Sequence, residues 1–223
     1  MTARSRNEPA PVPRAAPYLG VTTVPKPSLR KAQTADVDRL AGALGRAFDD
    51  DPVMGWLFPD PVRRRLAVPR FFSIMLTKIV MPHDEVYTTD DVAGGALWEP
   101  PGKWRLGVRG QIRLLPDFIR VFGRRLGFAT RGLNLIEASH PEELHWYLAV
   151  LGTEPARQGQ GIGSTLMAPI LERCDREGMP AYLESSKESN IAFYARHGFR
   201  VVRELHLPRG PTMWAMWREP RTQ

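Results

Sequence analysis

Between Thr153 and Leu166 the chain reads TEPARQGQGIGSTL. Gly159, Gly161 and Gly163 stand there between an apolar run, His145 to Leu151, and an amphipathic stretch from about Ile162 to Arg176. A strand, a glycine-rich turn and a helix in that order make a place for an anion. Glycine lets the backbone approach a ligand closely. The first helical turn offers amide N–H groups that lack an internal partner. The helix dipole favours negative charge there by about 0.3–1 kcal/mol. A pyrophosphate suits all three conditions.

Spacing narrows the choice of pyrophosphate. A dinucleotide fingerprint needs G-x-G-x-x-G. Counted from Gly159 the third glycine position holds Ser164, and counted from Gly161 it holds Leu166. A phosphate loop of the G-K-[ST] kind fails too, because no lysine follows these glycines. What remains is Gln158-Gly159-Gln160-Gly161-Ile162-Gly163, of the form [RQ]-x-x-G-x-[GA]. Alone, this motif also fits a plain tight strand-to-helix turn.

A second motif follows. Gly178 and Pro180 end the helix, and Ala181-Tyr182-Leu183-Glu184 reads as a short buried strand. Ser189 or Asn190 can cap a short helix that Gly198 ends. Asn190 and Tyr194 lie four apart, on one face of it.

These two motifs and the strand between them resemble the acetyl-CoA half of the GNAT superfamily of N-acetyltransferases. The likeness is clear from Trp146 to Val202 and extends to Trp217. Within the superfamily the chain is similar to the puromycin N-acetyltransferase type. The shared phrases are Ala47-Phe48 with Asp50 and Pro52, Pro180-Ala181, Leu183-Glu184, and Pro208-Arg209-Gly210-Pro211 followed by Trp214 and Met216.

The resemblance implies an α/β (α+β) fold: a mixed, mostly antiparallel sheet flanked by helices, with splayed central strands at the acetyl-CoA site. It implies that backbone groups of Leu151 and Thr153 pair with the pantetheine arm. Gln158, Gly159, Gln160, Gly161, Ile162, Gly163 and Ser164 would hold the pyrophosphate. Tyr194 matches the family's general acid, and Asn190 would orient the arm or a water. His145 stands where some branches carry the base, although the puromycin type does not keep a titratable group there. Glu184 and Glu99 end neighbouring strands, so either could face the acceptor instead. A structural His145 stays open beside these.

The implied activity is transfer of an acetyl group from acetyl-CoA to a primary amine of a small molecule, with an aminonucleoside-like antibiotic among the candidates. Two other readings stand beside it: a non-catalytic acyl-CoA-binding regulatory module and a dinucleotide-binding oxidoreductase. No metal, nucleic acid or membrane is expected as partner, and the protein is expected to act as a monomer or homodimer.

Composition fits that picture. The chain has 223 residues and a net charge of +7, and five of its 31 basic residues are lysine. A modest positive field attracts a polyanionic co-substrate. The single cysteine, Cys174, falls in an i, i+4 row with Ile162, Leu166 and Ile170 and reads as core. One cysteine excludes an internal disulfide and suits a cytoplasmic setting.

The elements that must position the site read as follows. Residues 1–27 are rich in proline, alanine and arginine and read as a disordered leader. One domain is expected over 28–220. A strand at 29–32 leads to a helix capped by Thr34, with apolar residues Val37, Leu40, Ala41, Leu44 and Phe48. Asp49, Asp50 and Asp51 read as a solvated helix end. A helix over 61–81 and a hairpin, 85–89 with 92–98, follow. Residues 106–139 read as one long helix with arginines solvated on its surface. Strands at 201–206 and 212–217 close the sheet.

Overall fold

The computed structural model describes residues 28–221. Seven strands form one sheet in the order β1-β2-β3-β4-β5-β7-β6. They are β1 (Leu29–Lys31), β2 (Val86–Thr89), β3 (Gly94–Glu99), β4 (Trp146–Thr153), β5 (Ala181–Ser185), β6 (Arg200–His206) and β7 (Thr212–Arg218). Only β4 and β5 run parallel; the other neighbours are antiparallel. The expected mixed, mostly antiparallel sheet is present. The expected leader lies outside the described residues.

Among the described residues, seven α-helices cover the two faces. One face carries α1 (Val37–Ala47), α2 (Pro52–Leu57), α3 (Pro61–Ile74), α4 (Val108–Phe122) and α5 (Leu126–Ala138), which bury Leu40, Leu44, Leu57, Phe72, Phe122 and their neighbours against Val150 and Tyr182. The other carries α6 (Ile162–Glu177) and α7 (Ile191–Arg196), packed on Trp98, Trp146 and Leu148. The α6 stripe of Ile162, Leu166, Ile170 and Cys174 is buried as its spacing predicts. Cys174 is core, and burial pushes its thiol up to about 12.

Three local readings change. Thr34 lies within a 3-10 turn, and Asp36 ties the entry to α1 by accepting from Gln33 N at 2.8 Å while pairing with Arg30. The long helix over 106–139 is two helices, broken at Gly123, whose φ of +53° no continuing helix allows. The helix at 61–81 runs on from α3 as a π-helical segment, Met75–Val80. Arg109, Arg113, Arg120, Arg124 and Arg131 are exposed, but Arg125 reaches back to the carbonyls of Trp56 and Leu57. Among the described residues, no helix is long and apolar enough to cross a membrane.

The feature that positions the site is a bulge in β4. Leu97 pairs with Val150 and Trp98 with Leu148, which leaves Ala149 without a partner on β3. An extra residue bends a strand and re-aims its side chains. Strict alternation would place His145, Tyr147, Ala149 and Leu151 on one face. Instead Tyr147 and Ala149 pack with the first cluster and Leu151 with the second.

Around the bulge, β3 and β4 are drawn close. A Cβ on Gly94 would stand 2.4 Å from the Gly152 carbonyl oxygen, and one on Gly152 would stand 2.7 Å from Leu44 Cδ2. The Gly94 conflict is with backbone and cannot be relieved by a rotamer change. We expect Gly94→Ala to destabilise the fold by roughly 1–3 kcal/mol, as overpacking does. Thermal unfolding should show a melting temperature lower by several degrees; an unchanged midpoint would mean that the strands separate freely here.

Candidate active site

The β4–β5 pairing stops after two rungs, Trp146 with Ala181 and Tyr147 with Tyr182. Beyond Tyr147 and Tyr182 the strands part, although β4 continues to Thr153 and β5 to Ser185. The gap opens into a cleft of about 630 Å³. Phe48 and Asp51 wall it from one side of the sheet, and Ile162 and Tyr194 from the other. The expected splay is therefore present.

The cleft gathers most of the residues singled out above. Leu151, Thr153, Gln158, Gly159, Gly161, Ile162, Gly163, Ser164, Glu184, Asn190 and Tyr194 all line it. Gly159 and Gly161 have φ of +75° and +79°, and a Cβ on either would meet open space. They are glycine for backbone conformation, and the space beside them is free for a ligand. Gln158 Nε2 donates to the Thr153 carbonyl at 3.2 Å, closing the loop on its strand. Ser164 Oγ lies 2.9 Å from His197 Nε2. Asn190 occupies the N-cap position of α7 but makes no side-chain cap bond, which leaves its amide open to the cleft.

Gln160 is the exception in the loop. It does not line the cleft; its Oε1 accepts from Arg157 Nε at 2.9 Å, and Arg157 lines the cleft in its place. Asp91 also pairs with Arg157.

Tyr194 is buried, and its phenol is held well above the usual value by burial first and the Asp51 charge second. It is thus protonated and able to donate. Asp51 departs from the solvated helix end read from sequence. It is 4 % exposed, caps α2 by accepting from Val53 N and Met54 N at 2.9 and 3.0 Å, and takes the Ser186 hydroxyl on its other oxygen. Burial holds its carboxyl above the usual range. The Asp-Pro pair is itself a helix-start signal, with a capping acid before a proline at the first helical position. Asp50 stays at the surface, where Lys187 Nζ meets it at 2.6 Å.

His145 is not in the cleft. It is fully buried, its Nδ1 lies 2.6 Å from the Glu143 carbonyl, and its ring packs on Tyr182 and Trp217. A carbonyl only accepts, so Nδ1 carries the proton. Burial lowers the ring's pKa and holds it neutral. The structure thus places His145 in packing and away from the cleft where a base is expected.

Titratable groups gather instead at the closed end of the gap. Glu184 reaches the cleft, and its Oε1 lies 3.2 Å from His140 Nε2. Glu99 is paired across the ladder with Tyr147, and one of its oxygens, Oε2, is buried without a hydrogen-bond partner. Burial, then the charge of Glu184, pushes the Glu99 carboxyl up to about 8. Burial and these two carboxylates also hold the Tyr147 phenol high. His140 was missed in the sequence, because it lies in an irregular connection where no periodicity marks it. Among the described residues, no three His, Cys, Asp or Glu side chains are placed to share a metal ion.

The profile of the Acetyltransferase (GNAT) family matches residues 118–199, the stretch that holds β4, the glycine loop, β5 and Tyr194. The chain is 28 % identical over 217 residues to an uncharacterised N-acetyltransferase of Schizosaccharomyces pombe, covering 87 % of this chain and 84 % of that one. The profile and this relative support an acyltransferase of the GNAT kind. Solved structures share its fold. A Corynebacterium glutamicum protein described as histone acetyltransferase HPA2 and related acetyltransferase superposes with a TM-score of 0.68, at 24 % identity over 89 % of this chain and 98 % of that one. Arylalkylamine N-acetyltransferase 2 of Aedes aegypti superposes at 0.52, with 12 % identity over 86 % and 98 %. The family uses acetyl-CoA as co-substrate. For this acetyltransferase the regulatory-module and oxidoreductase alternatives are not favoured.

The raised Glu99 pKa has a stability consequence. In the unfolded chain the carboxyl ionises near 4.5, and in the folded one at about 8. Between those values only the unfolded chain carries the charge, so this group's contribution to stability is lost as pH rises through that window. We expect Glu99→Gln to flatten the dependence. Urea unfolding at about pH 5 and about pH 8 should show a smaller change in midpoint for the variant than for the parent.

Proposed function

We propose that this acetyltransferase moves an acetyl group from acetyl-CoA to a primary amine of a small molecule, by direct attack within a ternary complex. The observation that carries this reading is that two cavities lie on either side of one polar contact, His140 Nε2 to Glu184 Oε1 at 3.2 Å. The glycine loop and the splayed strands are open on one side, and Glu99, Tyr147 and His140 are open on the other.

Acetyl-CoA, when bound, supplies the activated acyl carbon and a thiolate leaving group. The N–H groups at the start of α6, with Gly159 and Gly161 freeing the approach, suit its pyrophosphate. The edge of β4 beyond Tyr147, which has no ladder partner on β5, suits its amide-bearing arm. Holding both reactants in the gap removes the entropy of bringing them together.

The amine nitrogen attacks the thioester carbonyl carbon; a C–N bond forms and the C–S bond breaks. A carboxylate of the Glu99–Glu184 pair takes the proton that the ammonium must lose. Tyr194 gives its phenolic proton to the departing sulfur. This assigns base work to the carboxylate pair and leaves His145 as packing. The phrases shared with the puromycin type support an aminonucleoside-like antibiotic as one acceptor to try.

Two outcomes test the assignments. Gly161→Asp places a carboxylate in the open space beside the loop, where it would repel the pyrophosphate. Calorimetry should show acetyl-CoA affinity reduced at least about tenfold in a folded protein, the equivalent of 1.4 kcal/mol. Tyr194→Phe keeps the ring and removes the donor. General acid catalysis is typically worth about 10²–10⁴-fold, so kcat should fall by that order with little change in acetyl-CoA affinity. A wild-type kcat where chemistry limits turnover would remove Tyr194 from the mechanism.

A further inference from the structure

A second cavity of about 310 Å³ lies between α3, its π-helical continuation, α4 and α5. Its walls are apolar: Phe71, Met75, Ile79, Leu115, Phe118 and Leu133, with Trp104 beside them. Its mouth is polar, since Gln111, Thr130 and Asn134 line it and are exposed. Its inner end carries Glu99, His140 and Tyr147, and no lysine or arginine lines it. One contact divides the inner end from the cleft: His140 Nε2 lies 3.2 Å from Oε1 of Glu184, a cleft residue.

Resting on the N-acetyltransferase reading, we propose that this cavity takes the acceptor, and that the acceptor is a lipophilic primary amine without a carboxylate, phosphate or second ammonium. The argument is one of charge and area. A cationic nitrogen at the inner end supplies the donor that the buried Glu99 Oε2 lacks. An apolar body gains by leaving water along the Phe and Leu walls. A second ammonium would have to sit among those side chains unpaired, which a buried charge does only at high cost. An acidic group would meet Glu99 and Glu137 and find no basic partner. A volume of this size, near the lower end for small-molecule sites, suits a single ring or a short branched chain.

Binding and turnover separate this claim from the reading it rests on. Binding to the complex with CoA is measured by calorimetry for phenethylamine, phenylalanine, spermidine and the straight-chain amines from butylamine to hexylamine. The expected result is that phenethylamine binds at least tenfold tighter than phenylalanine or spermidine. Affinity should also rise about fourfold per methylene along the series. Leu133→Trp and Leu126→Trp, which fill the cavity, should each weaken phenethylamine at least tenfold while acetyl-CoA affinity, the control for folding, stays at the parental value. Equal or tighter binding of phenylalanine or spermidine overturns the proposal. So does unchanged phenethylamine affinity in both variants when they bind acetyl-CoA normally. Release of CoA thiol with phenethylamine and acetyl-CoA is followed separately. Selective binding without thiol release would sink the transfer reading and leave the ligand class standing; thiol release with spermidine but not phenethylamine would do the reverse.

Discussion

The two-rung pairing of β4 with β5 is the constraint on which the molecule is organised. A continuous parallel ladder would seal the sheet and leave no room for a ligand. Here the ladder ends at Tyr147 and Tyr182, and the unpaired Ala149 turns the rest of β4 away. The opposite edge of β4 is held tightly against β3 and α1, through Gly94, Gly152 and Leu44. The strand is therefore fixed on one side and free on the other. The glycine loop inherits its position from that strand, because it begins where β4 ends.

At the closed end of the gap the same geometry concentrates charge in a poor solvent. Glu99 and Glu184 approach each other among Tyr147, Tyr182, Trp104 and His140. Two carboxylates in such surroundings do not both ionise at neutral pH. Burial first, and the Glu184 charge second, push the Glu99 carboxyl up to about 8. Its partnerless oxygen is the local cost, and groups of that kind collect where a ligand completes them.

The parts of the site that were legible in the sequence are those written in local chemistry. The loop from Gln158 to Ser164 needs positive φ and a helix start, and both demands show as glycines at fixed spacing. Tyr194 is fixed by its place one turn after Asn190. What was not legible depends on contacts across long separations. His140 and Glu184 are brought together only by folding. His145 has the right residue type just before the right strand, but the Glu143 carbonyl and the aromatic rings around it hold it in packing, away from the cleft. The bulge at Ala149 exists only in the register with β3, so alternation along β4 predicted the wrong face for Leu151. Asp51 was hidden by its two solvent-facing neighbours; its burial comes from Ser186, 135 residues away. The break in the long helix was written as Gly123, among residues whose apolar spacing continues on both sides.

The only thiol of the chain lies in the core. Cys174 is wholly inaccessible and ionises at about 12, so at neutral pH only about one molecule in 10⁵ carries a thiolate, the reactive form. An acyltransferase that draws on acetyl-CoA works beside an activated thioester and releases a free thiol at every turnover. A surface cysteine would be exposed to acylation by the first and, wherever an oxidant such as dioxygen is present, to mixed-disulfide formation with the second. This protein offers neither reaction a cysteine partner. Ellman-type reagents added to the folded protein would therefore react with the released co-product alone.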